Sequence, residues 1–285
     1  MTWRRFTQLD VFTDRALGGN PLAVVHDAQG LADEAMQAFA RWTNLSETTF
    51  LLPPADPQAD YRVRIFTPAR ELPFAGHPTL GSCRAWLDAG GQPRAGDEIV
   101  QQCGVGLVRV RRDAARLAFA APPLLRAGEV DAGTRAQLAA ALRVDVSALR
   151  ATQWVDNGPG WVAAMLGSRD ELLALRPDFA AMHGLKVGVV APCPDGHDAQ
   201  FEARAFVPDL GVPEDPVTGS LHAGLAQWLI ASGLAPARYV AAQGTALGRA
   251  GRVFVERDGP TIWVGGGCVT VILGRVDVDT DGADV

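Results

Sequence analysis

Three residues in this chain have the types and settings that proton-transfer chemistry needs. Residues 44–50 read N-L-S-E-T-T-F and place Glu47 just ahead of a strand signal. Residues 70–81 read R-E-L-P-F-A-G-H-P-T-L-G and place His77 at a helix start marked by glycine and proline. Residues 213–220 read P-E-D-P-V-T-G-S and supply Asp215 in a similar setting. A carboxylate carries a proton from one carbon to another when it sits near both and its two protonation states are close in energy. Leu45, Phe50 and Phe74 give Glu47 apolar neighbours that favour such a balance by desolvation. Each residue alone has an ordinary alternative. A glutamate before a strand is commonly a surface residue, His77 can hold a structural bond, and Asp215 can cap a helix. Their meaning lies in the set.

His77 opens a helix and Asp215 shortly precedes another, which suits the chemistry. The first turn of a helix presents unpaired N–H groups and a partial positive charge, and so holds a carboxylate or a developing oxyanion. Gly76 and His77 open one such helix and Gly219 and Ser220 another. Two such ends facing one cleft would grip a small anionic substrate between domains.

The sequence also repeats itself. At a shift of 140 residues, R-I-F-T-P-A-R-E-L-P (64–73) lies over R-A-F-V-P-D-L-G-V-P (204–213). The same shift matches Val100, Gly104, Leu107, Arg109 and Arg112 with Val240, Gly244, Leu247, Arg249 and Arg252. A period this long is a domain, not a solenoid unit. Glu47 has no acidic counterpart in the second copy, where the 140-residue shift falls on Val187, beside Lys186. The expected pocket is therefore symmetric in its grip and asymmetric in proton transfer.

The elements that must position these groups are mostly strands. Strand signals fall at 6–13, 21–26, 48–52, 61–66, 98–102, 106–111 and 116–120, then at 152–156, 161–166, 186–190, 201–207, 237–242, 252–257, 261–264 and 269–274. Residues 31–42 form an amphipathic helix pattern with Met36, Phe39 and Ala40 on one stripe. By contrast, 78–88 and 217–232 are small and apolar on nearly every side, which predicts buried helices. The simplest architecture is α+β: a curved, mostly antiparallel sheet around a central helix, made twice, with domains at 1–124 and 125–285 joined near Pro122-Pro123.

Composition narrows the function classes. With 285 residues, 48% hydrophobic content and a net charge of −6, the chain can bury two cores and lacks the basic surface of a nucleic-acid binder. The N-terminal stretch breaks its apolar character with charge too early for a signal peptide, and no run approaches a membrane span, so a cytoplasmic protein is expected. Cys83, Cys103, Cys193 and Cys268 are scattered without metal-ligand spacing, which predicts reduced thiols and no metal site. Ser220 lies outside any G-x-S-x-G elbow. Gly265-Gly266-Gly267 lacks the residues of a phosphate loop and is expected to turn between two strands.

In order along the chain, N-L-S-E-T-T-F, R-I-F-T-P-A-R-E-L-P-F-A-G-H-P-T-L-G, N-G-P (157–159), E-D-P-V-T-G-S and Q-G (243–244) resemble the signature segments of the phenazine-biosynthesis PhzF-like proteins. The resemblance runs from about Phe12 to beyond Gly248. It implies the diaminopimelate-epimerase-like fold, with two pseudo-symmetric domains and an active site between them. It also implies a cofactor-free isomerase, commonly a homodimer, acting on a small carboxylate-bearing substrate. In the phenazine enzyme this is trans-2,3-dihydro-3-hydroxyanthranilate. On these motifs the family's catalytic residues fall on Glu47, His77 and Asp215. Its substrate-binding positions fall on Ser46, Gly76, Gly219 and Ser220. The segment after T-G-S reads L-H-A-G, where small residues without histidine are familiar in the phenazine enzyme; His222 lines the pocket or packs. Two other readings stay open: a small-molecule-binding or regulatory protein without turnover, and an epimerase or racemase. The related racemases place two cysteines at the helix starts, where this chain has none.

Overall fold

The computed structural model describes residues 3–113, 116–210 and 212–278. It divides into two units. The first comprises Met1–Leu17, Pro21–Phe119 and Gly267–Val285, and the second Gly18–Asn20 and Ala120–Gly266. A single cut after residue 124 differs from this division chiefly in the last strand, which returns to the first unit.

In chain order the first unit holds β1 (Trp3–Val11), β2 (Asn20–Val25), α1 (Asp33–Thr43), β3 (Thr48–Leu52), β4 (Tyr61–Phe66), β5 (Glu71–Leu72), α2 (Gly76–Asp88), β6 (Glu98–Cys103), β7 (Gly106–Asp113) and β8 (Arg116–Ala120), except that the end residues Asn20 and Ala120 belong to the second unit. β2 runs parallel to β3, and β3 antiparallel to β4. β4 pairs antiparallel with β5 and parallel with β6, and antiparallel hairpins then join β6 to β7 and β7 to β8. β4 shows how burial follows the pleat: Tyr61, Val63 and Ile65 are buried, and the intervening Arg62 and Arg64 reach partly into solvent.

The second unit holds β9 (Arg126–Glu129), α3 (Ala132–Leu142), β10 (Ala151–Asp156), β11 (Trp161–Met165), α4 (Arg169–Ala174), β12 (Lys186–Pro192), β13 (Phe201–Val207), β14 (Val212–Asp215), α5 (Gly219–Ala231), β15 (Arg238–Gln243), β16 (Gly251–Asp258) and β17 (Thr261–Gly266). After the β9–β10–β11 meander the pairing repeats the first unit step for step. β11 is parallel to β12, and β12 antiparallel to β13. β13 is antiparallel to β14 and parallel to β15, and β15, β16 and β17 form antiparallel neighbours. The duplication read from the sequence is thus a duplication of topology. Thr48 lies opposite Phe66 and Val187 opposite Phe206, so strand register matches Glu47 with Lys186.

The chain re-enters the first unit at Gly267, and β18 (Cys268–Asp277) pairs antiparallel with β1 from Trp3↔Asp277 to Val11↔Cys268. The triple glycine is only partly a turn. Gly265 and Gly266 end β17, and Gly267 alone lies outside a strand. A Cβ at Gly267 would sit 2.5 Å from the Thr13 carbonyl oxygen, which explains the glycine there.

α2 packs against β1, β3, β6 and β18, and α5 against β10, β11, β16 and β17. Both helices are 13 residues long and buried on nearly every side, as their small apolar sequences predict. Their starts lie 143 residues apart, although the preceding strands match at 140. The second copy therefore spends three more residues between its last matched strand and its helix. Glycine at the sixth helical position allows close packing in both. A Cβ on Gly81 would meet Leu22 Cδ2 at 2.5 Å, and one on Gly224 would meet the Val155 carbonyl oxygen at 2.2 Å.

Candidate active site

Glu47 stands one residue before β3, a strand flanked on both sides by β2 and β4. The helix ahead of it ends in Asn44, whose left-handed φ of 52° asparagine tolerates well. Thr43 and Thr48 hydroxyls then bond across the turn at 2.8 Å, and Ser82 of α2 donates to Thr49 at 2.9 Å. The segment carrying Ser46 and Glu47 is thus tied at both ends to fixed elements.

His77 is the second residue of α2, and its Nε2 lies 3.4 Å from Glu47 Oε2. The histidine side chain is 4% exposed and the glutamate side chain 15%. Burial pushes His77 down to about 3, so at neutral pH it is an uncharged imidazole. The contact is therefore a carboxyl group beside a neutral ring, and not an ion pair. α2 is opened by Ala75, with no side-chain cap bond and no acid in the first turn. Its first N–H groups, from Gly76 onward, keep their positive character. Behind them Thr79 donates to the Ala75 carbonyl at 2.9 Å, Gln101 to Thr79 at 3.0 Å and Tyr61 to Gln101 at 2.9 Å. These buried bonds fix the start of the helix.

In the second unit α5 also begins without a side-chain cap bond or a first-turn acid. Ser220 Oγ accepts from Trp161 Nε1 at 3.0 Å, and its carbonyl accepts from Asn157 Nδ2 at 2.9 Å. The N-G-P turn is thereby a clamp on the Gly219-Ser220 start. Asp156 Oδ1 shapes that turn by accepting from the Gly158 and Gly160 amides.

Asp215 ends β14, and the residue at the cap position of α5 is Thr218. Its Oδ2 accepts from Thr218 Oγ1 at 2.6 Å and its Oδ1 from Asn20 Nδ2 at 2.9 Å. The preceding Glu214 instead forms a two-pronged pair with Arg204, at 2.9 and 2.8 Å. His222 is 1% exposed. Its Nε2 lies 2.9 Å from Gln243 Oε1, and burial pushes it down to about 4. Of the two sequence readings for His222, the packed one describes it.

Asn20, Thr218 and Gln243 surround Asp215 and are not among the residues singled out from the sequence, although Thr218 lies within E-D-P-V-T-G-S and Gln243 within Q-G. Gly244 explains why the latter pair stays together. It has φ +92°, and a Cβ there would lie 2.7 Å from the Pro216 carbonyl oxygen. A larger residue would push Gln243 away from the 215–218 segment.

The thiols have no such setting. Cys83 lies well inside α2, and burial pushes Cys83 and Cys103 up, Cys193 to about 11 and Cys268 to about 12. None is a ready nucleophile. Among the described residues no group of three His, Cys, Asp or Glu side chains is placed to hold a metal, and no helix is long and apolar enough to cross a membrane.

Residues 9–274 match the family described as phenazine biosynthesis-like protein, PhzC-PhzF. The chain is 35% identical to Antisense-enhancing sequence 1 of Schizosaccharomyces pombe, covering 96% of this chain and 99% of that protein. It is also 35% identical to the trans-2,3-dihydro-3-hydroxyanthranilate isomerase of Pseudomonas aeruginosa, covering 90% and 91% respectively. A PhzF-family crystal structure from Enterococcus faecalis superposes with a TM-score of 0.81 at 25% identity, over 97% of this chain and all of that one.

Proposed function

The chain belongs to the phenazine biosynthesis-like family, and from that premise we propose that it is a cofactor-independent isomerase that moves a proton between carbons of a small carboxylate substrate. One observation carries the reading: Glu47 Oε2 lies 3.4 Å from the buried, neutral His77 at an uncapped helix start. A glutamate in that setting can take a proton from an activated carbon and return it to another, while a neutral imidazole donates or accepts a hydrogen bond without competing for charge. Glu47 is assigned the proton transfer, with His77 and Asp215 bonding the substrate's hydroxyl or amino group. Ser46, Gly76, Gly219 and Ser220 are assigned to substrate binding. The relative that is a trans-2,3-dihydro-3-hydroxyanthranilate isomerase makes cyclic hydroxy-amino acids the first substrates to try. We propose that it is a homodimer, as the family resemblance implies, and that it is cytoplasmic, as the sequence analysis leads one to expect.

The test is incubation with cyclic hydroxy-amino acids and prephenate-like acids in D2O, read by NMR for deuterium at carbon. Exchange and isomerisation that vanish in Glu47→Gln are expected. Saturable binding with no exchange at any carbon would instead identify a binding protein with the same pocket.

A further inference from the structure

The hydrogen bonds around Asp215 have only one consistent set of directions, and two backbone groups set it. The Thr218 amide can only donate, so the Gln243 side-chain atom 2.9 Å from it is the oxygen. The Asp215 carbonyl can only accept, so the Gln243 atom 2.9 Å from it is the nitrogen. The Gln243 orientation is thus determined twice over. Its nitrogen spends a second hydrogen on Thr218 Oγ1 at 2.9 Å, which leaves the threonine proton to go to Asp215 Oδ2 at 2.6 Å. Its oxygen lies 2.9 Å from His222 Nε2, so that nitrogen must carry the hydrogen. On the far side Asn20 Nδ2 gives its two hydrogens to Asp215 Oδ1 and the Val217 carbonyl, both at 2.9 Å.

Every member is buried: Asn20 is 0%, Gln243 and His222 1%, Thr218 6% and Asp215 9% exposed. In a network this buried an unmet polar group is costly, and that cost enforces the directions of its bonds. The order runs from His222 through Gln243 and Thr218 to Asp215.

From this we propose that His222, Gln243 and Thr218 are positioning residues that hold the Asp215 carboxylate as an acceptor of fixed orientation, committed to receive an N–H or O–H donor. The inference rests on the reading that Asp215 contacts substrate, but the network itself is testable without any substrate. It also gives the departure at L-H-A-G a role: His222 is the buried end of the chain of donors, and its neutral Nε2–H form is what the Gln243 oxygen requires.

Two measurements decide it. Long-range 1H–15N NMR of the wild-type protein between pH 6 and 8 should show His222 neutral with its proton on Nε2. A proton on Nδ1 alone would overturn the assignment directly, with no variant needed. Second, the Asp215 carboxyl is titrated by 13C NMR in Thr218→Val, Thr218→Ser and Gln243→Met. Loss of a donor to the anion should raise its midpoint by about one pH unit in Thr218→Val, with a smaller rise in Gln243→Met and a return toward wild type in Thr218→Ser. Midpoints unchanged in folded Thr218→Val and Gln243→Met would overturn the proposal. If the midpoints shift but no variant alters turnover of a working substrate, the network stands and the assignment of Asp215 to the substrate fails.

Discussion

Glu47 and His77 touch within one unit, and their substitutions should separate chemistry from folding. Glu47→Gln keeps shape and removes the transferable proton, so turnover is expected to fall by at least about a hundredfold, the low end for a lost general acid or base. Its thermal midpoint and ligand affinity should stay near wild type; activity within a few-fold of wild type would remove Glu47 from the mechanism. The buried histidines make a second expectation, about pH. His77 and His222 are held down at about 3 and about 4, whereas histidines of an unfolded chain take up protons near about 6.5. Between those values the unfolded state binds more protons, so this stability is whole above about pH 6.5 and is lost as the pH falls toward 4 and then 3. Each histidine contributes a slope of up to about 1.4 kcal/mol per pH unit. Urea unfolding at pH 6.5 and pH 5 should show the loss, and His222→Gln should show a smaller one. Equal losses in the two proteins would contradict a neutral His222.

At the scale of elements the two central helices carry matched glycines with unequal neighbours. Alanine at either site gains roughly 1 kcal/mol of helix propensity, against an overpacking cost of typically about 1–3 kcal/mol. The added methyl at Gly81 meets the side chains of Leu22, Val11 and Leu9, whereas at Gly224 it meets the Val155 carbonyl. Side chains can shift and a strand backbone scarcely can, so Gly224→Ala should lose more stability in denaturant unfolding than Gly81→Ala. The reverse order would mean that α5 moves away from β10 more easily than its packing suggests.

These helices also show what a sequence can and cannot reveal about its elements. Their uniform small apolar character announced burial, and the strands around them alternate plainly enough to be read. α3 has no clear signal in the sequence despite Asp131, which caps it by accepting from the Thr134 amide at 2.9 Å, because its run of alanines has little amphipathic contrast. β5, β9 and β14 are two to four residues long and owe their existence to neighbouring strands rather than to their own composition. Glu47, His77, Asp215 and the two Gly-led helix starts were legible as motif residues. Asn20 and Gln243 were not, since a partner 195 or 28 residues from Asp215 leaves no local pattern.

On the scale of the whole molecule the duplication is uneven in use. Both copies build the same parallel and antiparallel ladder, yet Glu47 corresponds to Lys186, whose ammonium bonds the Pro159 carbonyl. Acid/base work is therefore expected from one copy only. Lys186→Glu should not create a second proton-transfer group, and D2O exchange in Glu47→Gln/Lys186→Glu should stay as low as in Glu47→Gln. Restored exchange would show that the copies are interchangeable.

The pairing of Trp3 with Asp277 bears on how the protein is born. β1 leaves the ribosome ahead of the second unit and β18 after it, so the first unit cannot close until the second has been made. The second unit is contiguous apart from Gly18–Asn20, and its ladder is complete once β17 emerges. Chains made in the usual direction commonly mature from the N-terminus onward; here the order should be inverted. In stalled nascent chains ending shortly after Gly266 clears the exit tunnel, β11–β17 should resist protease while β2–β8 remains cleavable, and β2–β8 should become protected only when β18 has cleared as well.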